Sequence, residues 1–145
     1  MKVERSIEIA ATPERLHEVI MDPACLEQWV TIHAGLENTP AGRLERGSEL
    51  TQRLQLAGRG FSVLGKVVEN RPARRVEWEG VGPMRSHAGV TYDLQPNGNG
   101  GTRFTYTNEF ALPGGPLGRV AGSIVRRVTA GELDQSLERL RAMVE

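Results

Sequence analysis

The sequence contains a single cysteine, Cys25, among 145 residues. One cysteine cannot form a disulfide bond within the chain, and it excludes a metal site built from several cysteines of one chain. Lysine plus arginine and aspartate plus glutamate each number 18, so the net charge is zero. Because acidic and basic residues are interleaved, the sequence lacks the basic surface by which nucleic acid or an anionic membrane is bound.

Long apolar runs are also absent. No segment approaches the ~20 apolar residues of a membrane span, and charged and apolar residues alternate from Met1 onward, where a signal peptide would have an apolar core. Apolar residues make up 39% of the sequence and charged residues 25%, as in ordinary globular proteins. We therefore predict a cytoplasmic protein with one domain over residues 1–145, without stable membrane insertion, a nucleic-acid partner or a cofactor.

The N-terminal segment predicts one strand followed by two short helices. Apolar and polar residues alternate over 2–10, which is typical of a half-buried strand. Thr12 followed by Pro13 predicts a helix start, with the threonine as the N-cap. Asp22 can cap a second short helix over 23–28. The chain should therefore place two helices between its first strand and all later strands.

From about residue 31 the pattern changes to strands joined by tight turns, such as Gly58-Arg59-Gly60. Strands connected by hairpin turns pair antiparallel. Apolar side chains alternate with polar ones along most of these segments, which indicates a sheet covered on one face only. The predicted strands lie near 31–36, 48–57, 61–69, 74–79, 84–95 and 102–110.

Residues 114–145 predict a long helix that follows a proline- and glycine-rich breaker segment at 112–116. In its second half Leu133, Leu137 and Leu140 recur on one face, whereas its first half is rich in small residues. An amphipathic helix of this kind is not stable alone and needs an apolar surface to lie on. We predict that it covers the apolar face of the sheet.

This order of elements resembles the helix-grip fold of the START and polyketide-cyclase-like (SRPBCC) superfamily, in its polyketide cyclase/dehydrase-type branch. The resemblance spans essentially the whole chain, and its matching stretches are IEIAATPERLHEVIMDPACLEQW (7–29), GKVVENRPARRVEW (65–78), VTYDLQPNGNGGTRFTYTNEF (90–110) and the closing helix. It implies an α+β fold in which a curved antiparallel sheet of about seven strands wraps the C-terminal helix and leaves an internal cavity. It also implies a lipid, polyketide or quinone-like ligand in that cavity.

The inward-facing residues of the predicted strands supply the candidate cavity wall. Most of them would be apolar in any packed core, so an ordinary core is the alternative interpretation. A few polar groups converging in an apolar concavity are typical of a small-molecule site. We predict ligand contacts by Trp29, Leu54, Phe61, Trp78, Val90, Tyr92, Tyr106, Asn108, Phe110, Ala121 and Ile124.

Several of these residues have an explicit alternative role. Trp29 either flanks the ligand entrance or anchors the two short helices in the core. Tyr106 and Asn108 must meet a partner, water or ligand if they are buried, because an unpaired buried polar group costs about 1–3 kcal/mol. Otherwise they reach solvent near a strand end, which is the interpretation we favour for Gln52.

Catalytic signals are sparse. The sequence has no convincing Ser-His-Asp order, phosphate loop or carboxylate pair. Its three histidines share no metal-ligand spacing, so no metal site is predicted. We predict that His17 is exposed and that His87 faces outward, whereas His33 lies near the rim of the cavity. The candidate catalytic residues are therefore His33, Tyr92 and Tyr106.

Three functions remain open, and each is compatible with a homodimer. The first is a binding protein that holds a hydrophobic or amphipathic small molecule without chemistry. The second is a cyclase/dehydratase-type lyase in which the same cavity folds a polyketide-like chain and a tyrosine or histidine moves a proton. The third is a protein-interaction module that resembles the quinone-binding or toxin members of the superfamily, which would need a broad exposed apolar patch.

Overall fold

The structure, a computed structural model, describes residues 1–40, 42–56, 58–110 and 116–145, with side chains of the last range described from Gly122 onward. Within these ranges the helices and strands follow the predicted order, and short 3₁₀ turns occur at Pro23–Cys25 and Pro83–Arg85. The elements are β1 (Lys2–Ile9), α1 (Pro13–Ile20), α2 (Leu26–Trp29), β2 (His33–Glu37), β3 (Glu49–Leu56), β4 (Arg59–Arg71), β5 (Arg75–Val81), β6 (His87–Pro96), β7 (Thr102–Phe110) and α3 (Pro116–Val144).

The strands form one antiparallel sheet in the order β1-β7-β6-β5-β4-β3-β2. The predicted helix-grip architecture is confirmed, because this seven-stranded sheet curls into a half-barrel beside the long C-terminal helix. Pairing register shifts between Val67 and Glu69 of β4 and between His33 and Gly35 of β2. Irregularities of this kind bend a strand and increase its twist, which contributes to the curl.

Thr12 caps α1 as predicted, whereas Asp22 caps the 3₁₀ turn at Pro23–Cys25 and α2 itself begins only at Leu26. Thr12 Oγ1 accepts a hydrogen bond from the backbone N–H of Arg15 at 3.2 Å, and Asp22 Oδ1 accepts one from the N–H of Ala24 at 3.0 Å. Each cap satisfies a backbone donor that would otherwise have no partner in the first helical turn. Leu16 of α1 is fully buried, so the capped helix is seated on the core.

The connection between β5 and β6 differs from the prediction. β5 continues to Val81, and β6 begins only at His87 because the 3₁₀ turn at Pro83–Arg85 lies between them. Met84 and Arg85 have φ angles of 57° and 58°. Neither residue favours the left-handed region, so hydrophobic periodicity gives no signal for such a turn.

Helix α3 covers the sheet with the buried stripe that its leucine spacing predicts. Leu133, Leu137 and Leu140 are only 2%, 2% and 0% exposed. The helix packs against β1 and α2. Of the predicted breaker segment, residues 112–115 lie outside the described residues, and α3 begins at Pro116.

Two glycines give opposite expectations for alanine substitution. Gly101 is buried, and a Cβ there would lie 2.6 Å from the carbonyl oxygen of Ile9. Because backbone cannot turn aside as a flexible side chain can, Gly101→Ala should lower the free energy of unfolding by about 1–3 kcal/mol. Gly131 is exposed on α3 with open space around it, so Gly131→Ala should raise that free energy by about 0.5–1 kcal/mol. Urea denaturation measures the free energy of unfolding of both variants. Equal changes in the two variants would contradict the close packing at Gly101 and the open space at Gly131.

Candidate functional site

An aromatic cluster joins α2 to the inner face of the sheet. The Trp29 ring centroid lies 5.6 Å from that of Tyr92, 5.8 Å from that of Tyr106 and 6.4 Å from that of Phe104. Tyr92 and Tyr106 are directly opposite each other on β6 and β7. Trp29 is 0% exposed, so the structure places it as the core anchor and not at the rim of an entrance.

The two tyrosines of this cluster are neutral at physiological pH. Burial raises the pKa of Tyr92 well above its usual value, and the charge that Tyr106 would carry adds to the effect. Burial raises the pKa of Tyr106 to about 12, although hydrogen bonding with Tyr92 and Asn108 opposes the rise. A group whose pKa lies so far above 7 transfers protons inefficiently at pH 7. The tyrosines are therefore better suited to hydrogen bonding than to acid–base catalysis.

Because the sequence has only these two tyrosines, tyrosinate absorbance reports on the cluster alone. Their folded-state pKa values lie above the usual 10.0, so the unfolded chain loses these protons first as pH rises. The associated stability is complete below pH 10 and is lost as pH rises towards the folded-state values. We expect almost no tyrosinate in the folded protein at pH 10, where a urea-unfolded control is about half ionised. Identical titration curves for the folded and the unfolded protein would contradict the buried placement of the two tyrosines.

Beyond the aromatic cluster, the inward face of the sheet is apolar but only half-buried. The strand register places Asn108 beside Val90, and Val90 beside Trp78. The buried polar end of the site therefore borders an apolar surface directly. We call this surface the inner wall, and its half-buried members are Leu54, Phe61, Val63, Trp78, Val90 and Phe110.

Two glycines of the sheet allow side chains of the inner wall to lie close to the backbone. A Cβ at Gly65 would lie 3.3 Å from Trp78 Cε3, and a Cβ at Gly80 would lie 2.6 Å from Val63 Cγ1. The indole and the valine therefore lie over positions without side chains. A larger residue at either glycine would push Trp78 or Val63 away from the sheet.

His33 lies at the outer edge of the same sheet, on strand β2. It is half-buried, and its Nδ1 accepts a hydrogen bond from Gln52 Nε2 at 2.9 Å. Burial lowers the pKa of His33, opposed by the Glu27 carboxylate and reinforced by the Arg53 guanidinium. The imidazole is therefore neutral at pH 7 with its proton on Nε2. Gln52, which we expected to reach solvent near a strand end, is thus half-buried and paired with His33.

The other two histidines belong to no group of possible metal ligands within the part of the chain that the structure describes. Among the described residues, no group of three or more His, Cys, Asp or Glu side chains could hold an ion. The expectation that His17 is exposed is wrong: it is half-buried, and its Nε2 lies 2.8 Å from Asn70 Oδ1. This contact ties α1 to β4, a pairing that spacing along the chain does not reveal. His87 is exposed on the outer face as predicted.

Of the two helix residues predicted to contact ligand, only the side chain of Ile124 belongs to the described residues. The side chain of Ala121 lies outside the described residues. Ile124 is 60% exposed, so it is not enclosed between helix and sheet. Two surface depressions of about 310 and 710 Å³ occur elsewhere, one beside Arg141 and the other beside Pro72. None of the predicted ligand-binding residues lines either of them.

Two fully buried polar atoms have no hydrogen-bond partner among the described residues. They are Trp29 Nε1 and Thr129 Oγ1, on side chains that are 0% and 2% exposed. Thr129 was not among the functional residues predicted from the sequence. It precedes Leu133 and Leu137 at a spacing of four, so extending the leucine stripe by one turn would have found it.

The outer face carries a small apolar area on β4 and β5. Leu64 and Val81 are directly paired across the two strands and are 51% and 46% exposed. Met84, in the turn that follows, is 88% exposed. On β7 the outward residues are polar, as predicted, and Thr107 Oγ1 donates a hydrogen bond to Glu4 Oε1 at 3.1 Å.

The curled sheet, the long C-terminal helix and the half-buried inner wall together define a helix-grip protein with an apolar inner surface. The sequence model of the family described as "polyketide cyclase / dehydrase and lipid transport" matches residues 1–145. The chain therefore belongs to this family. None of the described helices has the length and hydropathy of a transmembrane span.

Solved structures share this fold at low sequence identity. A protein from Thermus thermophilus is 19% identical with a TM-score of 0.82, covering 99% of this chain and 97% of its own. The Zhui aromatase/cyclase from a Streptomyces species is 16% identical with a TM-score of 0.80. Its alignment covers 99% of this chain and 93% of the aromatase/cyclase chain. No curated protein sequence matches the chain. At these identities the likeness establishes the fold alone.

Proposed function

We propose that this protein binds a hydrophobic or amphipathic small molecule between the inner wall and α3. The observation that carries the proposal is the inner wall itself, an apolar surface on the inward side of the sheet that stays half-buried. Covering apolar surface is favourable by roughly 25 cal/mol per Å², so an apolar molecule seated there gains binding energy. The family description, which includes lipid transport, supports the same conclusion.

Native mass spectrometry tests this proposal. Protein incubated with a bacterial lipid extract should carry a bound small molecule that organic solvent releases. The Val63→Asp variant, which places a charge in the inner wall, should retain much less of it. Leu64→Asp places the same charge on the opposite face of β4 and serves as the control. A spectrum that shows only the unliganded mass for the unsubstituted protein would contradict the proposal.

A cyclase/dehydratase-type lyase is the second candidate, and His33 is the observation that favours it. The imidazole is neutral at pH 7, half-buried and held by Gln52, as a proton-transfer group at the edge of a substrate site would be. Tyr92 and Tyr106 are weaker candidates because their pKa values are raised.

Substitution of His33 separates the two candidate functions. With a poly-β-keto thioester as substrate, His33→Gln should abolish turnover and leave binding of the aromatic product unchanged. Turnover that is unaffected by this substitution would remove the enzymatic role assigned to His33. Gln55→Ala, at an exposed position of the neighbouring strand β3, is the control for substitution at this edge.

A further inference from the structure

We infer that the ligand carries a neutral hydrogen-bonding oxygen, as in a ketone, ester or alcohol, and that Trp29 and Thr129 hold this oxygen at the deep end of the inner wall. The inference rests on the proposed function and narrows the class of ligand. It starts from the two buried polar atoms, Trp29 Nε1 and Thr129 Oγ1, that lack partners among the described residues.

Unpaired polar atoms of this kind need an explanation. A buried donor or acceptor without a partner costs about 1–3 kcal/mol, and the large majority of buried polar atoms in proteins are paired. Here two occur on side chains that are 0% and 2% exposed. A ligand oxygen that pairs with both recovers this cost on binding, so the protein favours a ligand that carries one.

Trp29 lies in the aromatic cluster that borders the inner wall, and Thr129 lies on α3, which packs against α2. The Trp29 ring packs on Tyr92 and Tyr106, and Asn108 follows on the same face of β7 beside Val90 of the wall. On α3, Thr129 extends the buried leucine stripe by one turn towards the helix N-terminus.

The two elements that carry Trp29 and Thr129 are joined directly. The N–H of Thr31, just after α2, donates to Ser136 Oγ at 3.0 Å. The Thr31 hydroxyl donates to the Glu132 carbonyl at 3.2 Å. These bonds hold the end of α2 against α3 close to Thr129.

The chemistry of this end of the site favours an uncharged acceptor. An indole N–H only donates, whereas a threonine hydroxyl both donates and accepts, so a ligand oxygen can satisfy both. The buried polar side chains of the aromatic cluster, Tyr92 and Tyr106, and the adjacent Asn108 are uncharged. Arg5 is opposite Tyr106 on β1, but it is exposed and its Nε lies 3.4 Å from Asp134 Oδ1. A carboxylate or phosphate buried without a cation would be costly.

Three probes of nearly equal shape test the inference: 2-acetylnaphthalene, 2-ethylnaphthalene and 2-naphthoate. The sequence has two tryptophans, so the indole N–H resonances of ¹⁵N-labelled protein report separately on Trp29 and on Trp78 of the inner wall. We expect the ketone to bind most tightly and to shift the Trp29 signal. The hydrocarbon should shift mainly Trp78, and the carboxylate should bind weakest.

The Thr129→Val variant supplies a second, independent measurement. Valine matches threonine in shape without its hydroxyl, so ketone affinity should fall roughly 3- to 10-fold, the effect of one hydrogen bond. Hydrocarbon affinity should not fall. In the free protein the variant should be as stable as the unsubstituted chain or more stable. A loss of stability would show that the hydroxyl already has a partner and would overturn the inference.

The remaining outcomes distinguish this inference from the proposed function. If the hydrocarbon binds more tightly than the ketone and only Trp78 responds, the inner wall binds ligand but the oxygen site is wrong. If ketone affinity is the same in Thr129→Val, the inference is also overturned. If no probe shifts either indole signal, the proposed function and the inference fail together.

Discussion

Replacing Trp29 with alanine is expected to lower the free energy of unfolding by about 3–5 kcal/mol, the range for truncating a fully buried aromatic side chain. Trp29 is 0% exposed and contacts Tyr92, Tyr106 and Phe104. Trp29 and Leu26 are the buried residues of α2, and Trp29 is the larger of the two, so its removal leaves a cavity that few neighbours can fill. Guanidinium denaturation followed by far-ultraviolet circular dichroism measures the change without depending on tryptophan fluorescence.

The matched control is the other tryptophan. Trp78 is half-buried in the inner wall, so Trp78→Ala removes less buried surface and should cost clearly less stability than Trp29→Ala. Trp29→Phe, which keeps an aromatic ring in the cluster, should also cost less. Equal losses for Trp29→Ala and Trp78→Ala would contradict the assignment of Trp29 as the core anchor and of Trp78 as a wall residue.

Placing an aspartate in the inner wall is expected to weaken binding of 2-ethylnaphthalene by more than about tenfold, because the ligand would then have to desolvate a charge. Val63→Asp makes this change at a half-buried position whose side chain lies over Gly80. Leu64 is the next residue along β4, faces the opposite side of the sheet and is 51% exposed. Leu64→Asp should therefore leave the affinity unchanged.

Isothermal titration calorimetry with the two β4 variants and the unsubstituted protein makes this comparison. Circular dichroism of each variant shows whether the sheet is retained. Because Val63 is only half-buried, we expect the fold to tolerate an aspartate there. If Leu64→Asp weakens binding as much as Val63→Asp does, the ligand does not distinguish the two faces of the sheet. The proposal that the ligand binds between the inner wall and α3 would then be wrong.

The parts of this fold that follow local rules could be predicted from the sequence. Alternation with a period of two assigned the inward faces of the strands, and the caps Thr12 and Asp22 marked the starts of the helical segments. The leucine spacing of α3 identified its buried stripe. Each of these signals acts over a few residues, so a single sequence contains it.

The parts that depend on distant contacts could not be predicted. His17 finds Asn70, which is 53 residues away, and periodicity carries no information about such a pair. Trp29 could be placed near the inner face but not assigned to core or entrance, since that depends on how α2 packs against β6 and β7. The unpaired hydroxyl of Thr129 depends on everything that surrounds it.

Intermolecular NOEs between 2-acetylnaphthalene and the methyl groups of isotope-labelled protein show on which face of the sheet the ligand binds. Binding against the inner wall predicts NOEs from the probe to Val63 and Val90, whose methyls belong to that wall, and none to Leu64 or Val81 on the outer face. NOEs confined to Leu64 and Val81 would contradict it, since the ligand would then lie outside the curl of the sheet.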